Sequence, residues 1–210
     1  MKRISRRSFL MAAGLGVAAL GFAACGGAAS ASTAASASSA ASGSTAAAES
    51  DLDDIKGKGK MVIGYTVYEP MNYTDADGNF TGFDTELATA VCEKLGVEPE
   101  FVEINWDTKV VELDAKSIDC IWNGMTLTED IMANTATTKA YAKNAQVVVV
   151  KDGTDYASLK IVDELNAEEY GVAFRKGSDA AAAVDAAFDE LKADGTMQAL
   201  ADKYDLALAE

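Results

Sequence analysis

Aromatic, amide and hydroxyl side chains follow three short apolar segments of this chain. They lie in the stretches Tyr65–Tyr73, Asn105–Trp106 and Asn123–Thr126. Ring faces contact apolar groups and attract cations, while amides and hydroxyls orient a polar ligand. The chain has no histidine, which excludes Ser-His-Asp and Cys-His catalysis and imidazole metal sites. The three stretches are therefore candidates for binding a small molecule.

Alternating strand and helix patterns must position these candidates. Short β-rich runs predict strands at Met61–Tyr65, Phe101–Ile104 and Ile118–Trp122, and apolar residues at helical spacing predict helices over 84–96 and 108–116. This βαβαβ order predicts a parallel sheet covered by helices. Ligands of such sheets bind beyond the carboxyl ends of the strands, so the candidate residues are expected to converge on one rim.

The remainder of the chain contains the same kinds of element. Gln146–Lys151 and Tyr170–Phe174 are predicted strands. Ser178 is predicted to begin an Ala-rich helix, and a last short helix brings Met197 towards Tyr204. The body is therefore of the α/β class.

The first 24 residues have the composition of an export signal. Their charged residues all lie within 2–7 and are basic, and residues 9–24 are uncharged and apolar. That segment is shorter than the roughly 20 residues that a membrane span needs, so it is interpreted as the apolar region of a signal peptide. Ser5–Leu10 resembles a twin-arginine export motif, with a general-secretion signal as the alternative.

A lipid anchor and a tether are expected next. Phe22–Gly26 resembles the lipobox of bacterial lipoproteins, which implies cleavage before Cys25 and acylation of that cysteine. An ordinary cleavage site with an incidental cysteine is the alternative. Residues 26–50 are almost entirely Ala, Ser, Gly and Thr, as in a flexible linker. We therefore expect an extracytoplasmic protein held at the outer face of the bacterial cell membrane.

The charge balance excludes one class of partner. The chain carries a net charge of −15, whereas nucleic-acid binding needs clustered Lys and Arg. No phosphate-binding loop or C-x-x-C motif is present, and the acidic stretch Asp51–Asp54 lacks calcium-loop spacing and is interpreted as a solvated approach to the fold. We expect no cofactor and no metal. Cys92 and Cys120 are predicted to be either buried thiols or a disulfide pair.

From residue 55 to 205 the chain resembles the extracellular solute-binding proteins that feed amino-acid ABC transporters. The resemblance is carried by the segments Glu69–Tyr73, Asp77–Ala88, Asp119–Thr126 and Tyr170–Gly177. It implies a type II periplasmic-binding-protein fold, in which two α/β lobes close around a solute. The implied partners are a small solute, most simply an amino acid, and a membrane permease, and the protein is expected to be a monomer without catalytic residues.

The resemblance also implies which residues bind. Aromatic rings of the first loop and Trp106 would contact the solute, while the Gly124 main chain and the Thr126 hydroxyl would bind its α-amino and α-carboxylate groups. Asp84 is better explained as a helix cap, and Gly78 and Gly82 as turn residues. The implied ligand-binding set is Tyr65, Tyr68, Met71, Trp106, Asn123, Gly124 and Thr126.

Two departures from the family limit this transfer. The family places an Arg that binds the solute carboxylate five residues after the Thr, where this chain has Ile131, preceded by Glu129 and Asp130. These acids favour a cationic or zwitterionic solute over an anion. In addition, only residues 152–169 separate the two predicted crossover strands, too few for a second lobe, since one βαβ unit takes about 30 residues.

The short connection has three competing explanations: a natural single-lobe protein, an engineered sequence, or an internal deletion, which we favour. Residues 152–169 are expected to form a linker with a short strand or helical turn around 159–165, between crossover strands that pair antiparallel. The expected organisation is a signal peptide over 1–24, a lipidated Cys and tether over 25–50, one complete doubly wound lobe over 51–150, a remnant of the second lobe over 151–170, and a return strand with helices over 171–210.

Two other functions remain open. Some relatives on this scaffold are dehydratases or cell-wall lyases, and Glu69, Asp84, Asp107 and Glu129 supply carboxyl groups, although none forms a recognisable catalytic pair. A sensor or interaction lipoprotein that uses only the surface of one lobe is the third hypothesis.

Overall fold

A computed structural model describes residues 50–151 and 159–209, without the side chains of 150, 151 and 159–164. The predicted signal peptide, the lipobox with Cys25 and the tether lie outside the described residues. Among those residues, no helix combines the length and the apolar character that crossing a bilayer requires.

One mixed sheet organises the described residues. Its strand order is β4-β1-β5-β8-β7-β9, and β6 pairs with β8 beside this series. β1 is parallel to β4 and β5, as the βαβαβ pattern predicts, whereas β8 and β7 join antiparallel. A separate two-stranded sheet pairs β2 with β3. The strands are β1 Lys60–Tyr65, β2 Tyr73–Thr74, β3 Phe80–Thr81, β4 Glu98–Glu103, β5 Cys120–Thr126, β6 Ala136–Thr137, β7 Ala142–Lys151, β8 Leu159–Phe174 and β9 Ala207–Leu208.

Within residues 50–151 and 159–209, six α-helices and one 3-10 turn accompany the sheet. The longest are α2, which follows the β2–β3 turn, and α5, which follows β8. α2 ends where predicted, at Gly96 in the left-handed region, because glycine adopts that conformation without strain. The helices are α1 Asp51–Lys58, α2 Phe83–Leu95, α3 Lys109–Asp114, α4 Glu129–Asn134, α5 Ala180–Ala193 and α6 Thr196–Tyr204, and the 3-10 turn is Trp106–Thr108.

Side chains that alternate between the two faces of β5 divide the core into two layers. Cys120 and Trp122 face the larger cluster, which α2, α5 and α6 cover. Ile121 and Met125 face a smaller cluster on the other side, where α3 and α4 pack. Successive side chains of a strand point to opposite faces, so this strand is buried on both sides, as a central strand of an α/β sheet is.

Cys92 and Cys120 are free, buried thiols in the larger cluster. Burial is the main reason that the pKa of both thiols is raised, to about 12 for Cys92. Both cysteines therefore act as small apolar core residues.

Two local predictions need correction. Asp53 and Asp54 are exposed, as expected, but the stretch Asp51–Asp54 is the start of α1, capped by the Ser50 side chain. Asp51 is buried, with the Arg175 guanidinium 2.9 Å from its carboxylate. Asp84 does not cap α2. The helix begins at Phe83, and the Asp84 side chain turns inwards and is fully buried.

The connection between the crossover strands follows the strand alternative, but the strand is longer than expected. The last long strand begins at Leu159 rather than Tyr170, so residues 159–165 form a strand with no helical turn. The predicted antiparallel pairing is confirmed, with a register from Ala142 opposite Tyr170 to Lys151 opposite Leu159. We call this two-stranded extension, Ala142–Lys151 with Leu159–Tyr170, the ribbon. Only residues 152–158 connect its strands, which leaves no room for a βαβ unit.

Candidate functional site

A cavity of about 310 Å³ opens beyond the carboxyl end of β1, beside Asn123 and Gly124 in the second half of β5. We call it the aromatic cavity. Its position is the one that the strand order predicts, because side chains at the ends of neighbouring parallel strands meet at one edge of the sheet. It is lined by Thr66, Val67, Tyr68, Trp106, Asn123, Gly124 and Tyr170.

The first loop brings Tyr68 to the cavity. The Tyr68 N–H donates to the Asn72 carbonyl at 2.8 Å, and the Asn72 N–H donates back to the Tyr68 carbonyl at 2.9 Å. This tight pairing presents the Tyr68 ring, whose hydroxyl lies 3.4 Å from the hydroxyl of Tyr170. The two rings therefore connect the first loop of the lobe to the base of the ribbon.

Asn123 holds the loop to β5. Its amide donates to the Thr66 carbonyl at 2.8 Å and to the Asn72 side chain at 2.7 Å, and its oxygen accepts from the Thr66 hydroxyl at 2.6 Å. Both amide hydrogens are thus used within the protein. Asn123 therefore shapes the floor of the aromatic cavity, and only its side-chain oxygen has acceptor capacity left for a ligand.

Gly124 must be a glycine for this arrangement. Its φ is +52°, and a Cβ atom there would lie 3.1 Å from the Tyr68 ring and 3.2 Å from the Tyr170 ring. The Gly124 N–H donates to the Asp84 carboxylate at 2.5 Å. The Gly124 N–H is therefore not available to a ligand.

Asp84 supports the site from below. Its other oxygen accepts from the Tyr141 hydroxyl at 2.8 Å, and its side chain is fully buried. Burial is the main reason that the pKa of Asp84 rises to about 7, an increase that the hydrogen bonds from Tyr141 and Gly124 oppose. Asp84 does not line the aromatic cavity, so it acts by orienting Gly124.

Trp106 lies on the 3-10 turn after β4 and is half-buried. The turn begins at Asn105, whose side chain accepts from the Asp107 N–H at 3.0 Å. One face of the indole is already next to a cation, since the Lys109 ammonium lies 4.6 Å from the ring centroid and donates to the Trp106 carbonyl at 3.1 Å. The site therefore contains a positive group beside its largest ring.

Three predicted residues lie elsewhere. Tyr65 packs against Phe80, with ring centroids 4.8 Å apart, instead of lining the aromatic cavity. Met71 is fully buried beneath the floor. Thr126 points to a second cavity, of about 1140 Å³, along the ribbon, where its hydroxyl donates to the Glu168 carboxylate at 3.1 Å. We call this second space the ribbon cavity.

The structure brings together Tyr68, Trp106, Asn123 and Gly124 from the predicted set, and adds Thr66, Val67 and Tyr170. The sequence signal for Tyr170 was its position at the start of an apolar run, but the register that sets it opposite Thr126 is a tertiary property. Burial above all, then contact with the Tyr68 hydroxyl and the charge of Glu168, raises the pKa of Tyr170. Tyr170 is therefore a neutral hydroxyl in the wall of the aromatic cavity.

The described acidic side chains form no cluster at the aromatic cavity. The described residues contain no group of three or more Cys, Asp or Glu side chains placed to bind a metal ion. The four carboxyl groups considered for catalysis are absent from the lining of the aromatic cavity; they are Glu69, Asp84, Asp107 and Glu129.

Comparison with known proteins extends the sequence resemblance. The sequence profile of the bacterial extracellular solute-binding proteins, family 3, matches residues 61–207. The chain is 29% identical to the L-cystine-binding protein TcyJ of Escherichia coli over 127 residues, 60% of this chain and 47% of that one. It is 31% identical to the arginine-binding extracellular protein ArtP of Bacillus subtilis over 105 residues, 50% of this chain and 41% of that one. The chain thus spans less than half the length of these relatives.

Solved structures share the fold. A mutant of ArgBP from T. maritima superposes with a TM-score of 0.64 at 24% identity, over 73% of this chain and 98% of that one. A mutant of domain 1 from TmArgBP, in its arginine-bound form, gives a TM-score of 0.53 at 30% identity, over 68% of this chain and 98% of that one. Profile, topology and superposition agree, and the fold is of the type II periplasmic-binding-protein class. The chain belongs to the bacterial extracellular solute-binding proteins of family 3.

Proposed function

We propose that this chain is the substrate-binding component of an ABC transporter and captures an amino acid or a related zwitterionic or cationic solute in the aromatic cavity. The observation that carries the proposal is the cavity itself. Three aromatic rings, Tyr68, Trp106 and Tyr170, surround a polar floor at the carboxyl edge of the sheet. Rings and a few convergent polar groups are what a small-molecule site needs.

A single lobe is a reasonable unit for such binding. The similar domain 1 from TmArgBP is described in an arginine-bound form. A closed cleft normally buries 70–90% of a small ligand, whereas one lobe leaves part of it in water. The proposed affinity is therefore well below that of a two-lobe receptor, in the range of about 1 μM to 1 mM.

Titration calorimetry of the full chain in mild detergent, with L-arginine, L-histidine and L-cystine, tests the proposal. We expect weak but saturable binding of at least one of them, and a loss of at least about tenfold in affinity for Trp106→Ala, which removes a wall of the cavity. Tyr65→Phe is the matched control, because Tyr65 packs against Phe80 outside the cavity. Absence of binding to the unaltered chain contradicts the function, and a sub-micromolar dissociation constant contradicts the one-lobe argument.

The proposal includes a place in the cell. Anchoring at Cys25 and the Ala/Ser-rich tether would hold the lobe at the outer face of the membrane, within reach of a permease. Expression in a bacterial host with labelled palmitate tests this part. Label should appear in the membrane-bound chain and disappear in Cys25→Ser, whereas equal labelling of both chains excludes acylation at Cys25.

A further inference from the structure

The ribbon places one carboxylate next to the proposed binding site. Glu168 lies two residues before Tyr170 on β8, so both side chains point to the same face of the strand. Tyr170 lines the aromatic cavity, and its register partner Thr126 lines the ribbon cavity together with Glu168. The two cavities therefore adjoin at the Thr126–Tyr170 pair.

Glu168 is held in position by neutral groups. Its Oε2 accepts from the Thr126 hydroxyl at 3.1 Å and from the Asn144 amide at 3.3 Å, and its Oε1 accepts from the Asn166 amide at 2.9 Å. No Lys or Arg whose side chain the structure describes forms an ion pair with it, although Lys143 lines the same cavity. Its negative charge is oriented but not neutralised, which is the state of a carboxylate that is ready to bind a cation.

The other acids near the site are less suited to this role. Glu169 and Asp205 also line the ribbon cavity but are exposed to water, which screens their charge. Asp84 is fully buried, and both its oxygens accept hydrogen bonds from the protein. Glu168 is half-buried and faces a cavity of about 1140 Å³, so a solute can reach it. Partial burial also strengthens its attraction for a cation relative to a fully exposed carboxylate, because water screens it less.

We propose that the Glu168 carboxylate binds a positively charged nitrogen group of the solute, an ammonium or a guanidinium, while the apolar part of the solute lies in the aromatic cavity. The inference rests on the proposed function. It assigns to the ribbon, which stands where the family has its second lobe, a residue that determines charge specificity. Solutes without a cationic group beside their apolar part would bind more weakly.

The test is a cycle of two variants and three ligands, measured by calorimetry on the full chain in mild detergent. Glu168→Gln keeps the size of the side chain and an acceptor for Thr126 but removes the charge. Glu103→Gln is the matched control, since Glu103 is exposed at the same edge of the sheet and lines neither cavity. The ligands are L-arginine, L-citrulline without the guanidinium charge, and Nα-acetyl-L-arginine without the α-ammonium.

We expect Glu168→Gln to lower the affinity for arginine about tenfold or more and Glu103→Gln to change it less than about twofold. The loss should vanish for one analogue: for citrulline if the guanidinium is bound, or for the acetylated ligand if the α-ammonium is bound. Equal losses for all three ligands, or equal effects of both variants, overturn the inference while the proposed function stands. Failure of the unaltered chain to bind any of the three, or histidine or cystine, overturns both.

Discussion

The lobe and the ribbon are parts of one sheet, yet they are stabilised differently. In the lobe, helices cover both faces of the central strand β5, and Trp122 is fully buried. In the middle of the ribbon, Val147, Val148 and Val149 are 37–45% exposed, whereas Ala142 and Tyr170 at its base are buried in the larger cluster. Two strands alone are marginally stable in water, so the lobe carries the stability and the ribbon contributes groups to the site.

Replacing Arg175 tests whether its ion pair with Asp51 fixes the end of β8 to the lobe. Arg175 follows β8 directly, is 11% exposed, and also donates to the Ile118 carbonyl at 2.8 Å. We expect Arg175→Met to lower the free energy of unfolding by about 4 kcal/mol, because the partly buried Asp51 then lacks its partner. Urea denaturation measures this. Lys60→Met breaks an exposed pair with Glu100 and should cost less than about 1 kcal/mol; equal losses would show that Arg175 has no special role.

A pair of apolar truncations compares the two regions directly. Leu87→Ala on α2 removes a fully buried side chain and should cost about 3 kcal/mol through lost burial and a cavity. Val149→Ala on β7 removes a side chain that is 45% exposed and should cost less than about 1 kcal/mol. The measurement is again urea denaturation. If the ribbon variant cost as much as the lobe variant, the ribbon would belong to the stabilising core.

The pH dependence of stability reports the protonation of the Asp84 carboxyl within the lobe. Its pKa is raised in the folded chain to about 7, above the usual value of 3.8, so the folded state binds the proton more tightly than the unfolded state. This contribution is fully present below about pH 4 and is lost as the pH rises through 7. Stability should fall by about 2–3 kcal/mol between pH 5 and pH 8.

Asp84→Asn removes that titration. The amide oxygen can accept from the Gly124 N–H and the amide nitrogen can donate to the Tyr141 oxygen, so the fold should be retained with a flat profile from pH 5 to pH 8. The acids with lowered pKa values, such as Asp194 and Asp75, titrate below this window. A slope that persists in the variant would assign the pH dependence to other groups.

The smallest expected effect concerns the contact between the two regions. Tyr68→Phe removes the hydroxyl that lies 3.4 Å from that of Tyr170. Because this distance is long for a hydrogen bond between hydroxyls, the free energy of unfolding should change by less than about 0.5 kcal/mol. Calorimetric unfolding measures it, with Tyr65→Phe as the control. A larger loss would mean that the lobe and the ribbon are coupled through this pair.

The features that could be predicted from the sequence are those with short-range patterns, such as turns, strands and helices. Gly78 lies in a turn, as predicted: its N–H donates to the Asp75 carbonyl, and the Asp75 carboxylate accepts from the Asp77 and Asn79 N–H groups. The parallel pairing of β1 with β4 and β5 is also confirmed, since its strands, helices and turns have local signals. Tyr68 and Trp106 were placed at one edge by topology alone, and both line the aromatic cavity.

Long-range contacts decide the features that could not be predicted from the sequence. Asp84 was expected to cap a helix, because its position at the start of α2 fits a cap, and only the burial against Tyr141 and Gly124 decides otherwise. Asp51 was expected in solvent, because its partner Arg175 lies far away in the sequence. An acid in a local acidic stretch has no sequence signal for a distant arginine.

By itself the sequence determined the α/β order and the family, because these follow from periodicity, turns and motif spacing. It placed the end of the third strand at Trp122, whereas β5 continues to Thr126. Only the tertiary structure decided that Tyr170 closes the aromatic cavity, that Thr126 faces Glu168, and that β7 and β8 pair into a ribbon. The physical reason is register. The face to which a strand residue points depends on its partners across the sheet, and a shift of one residue would exchange every side chain between the two faces.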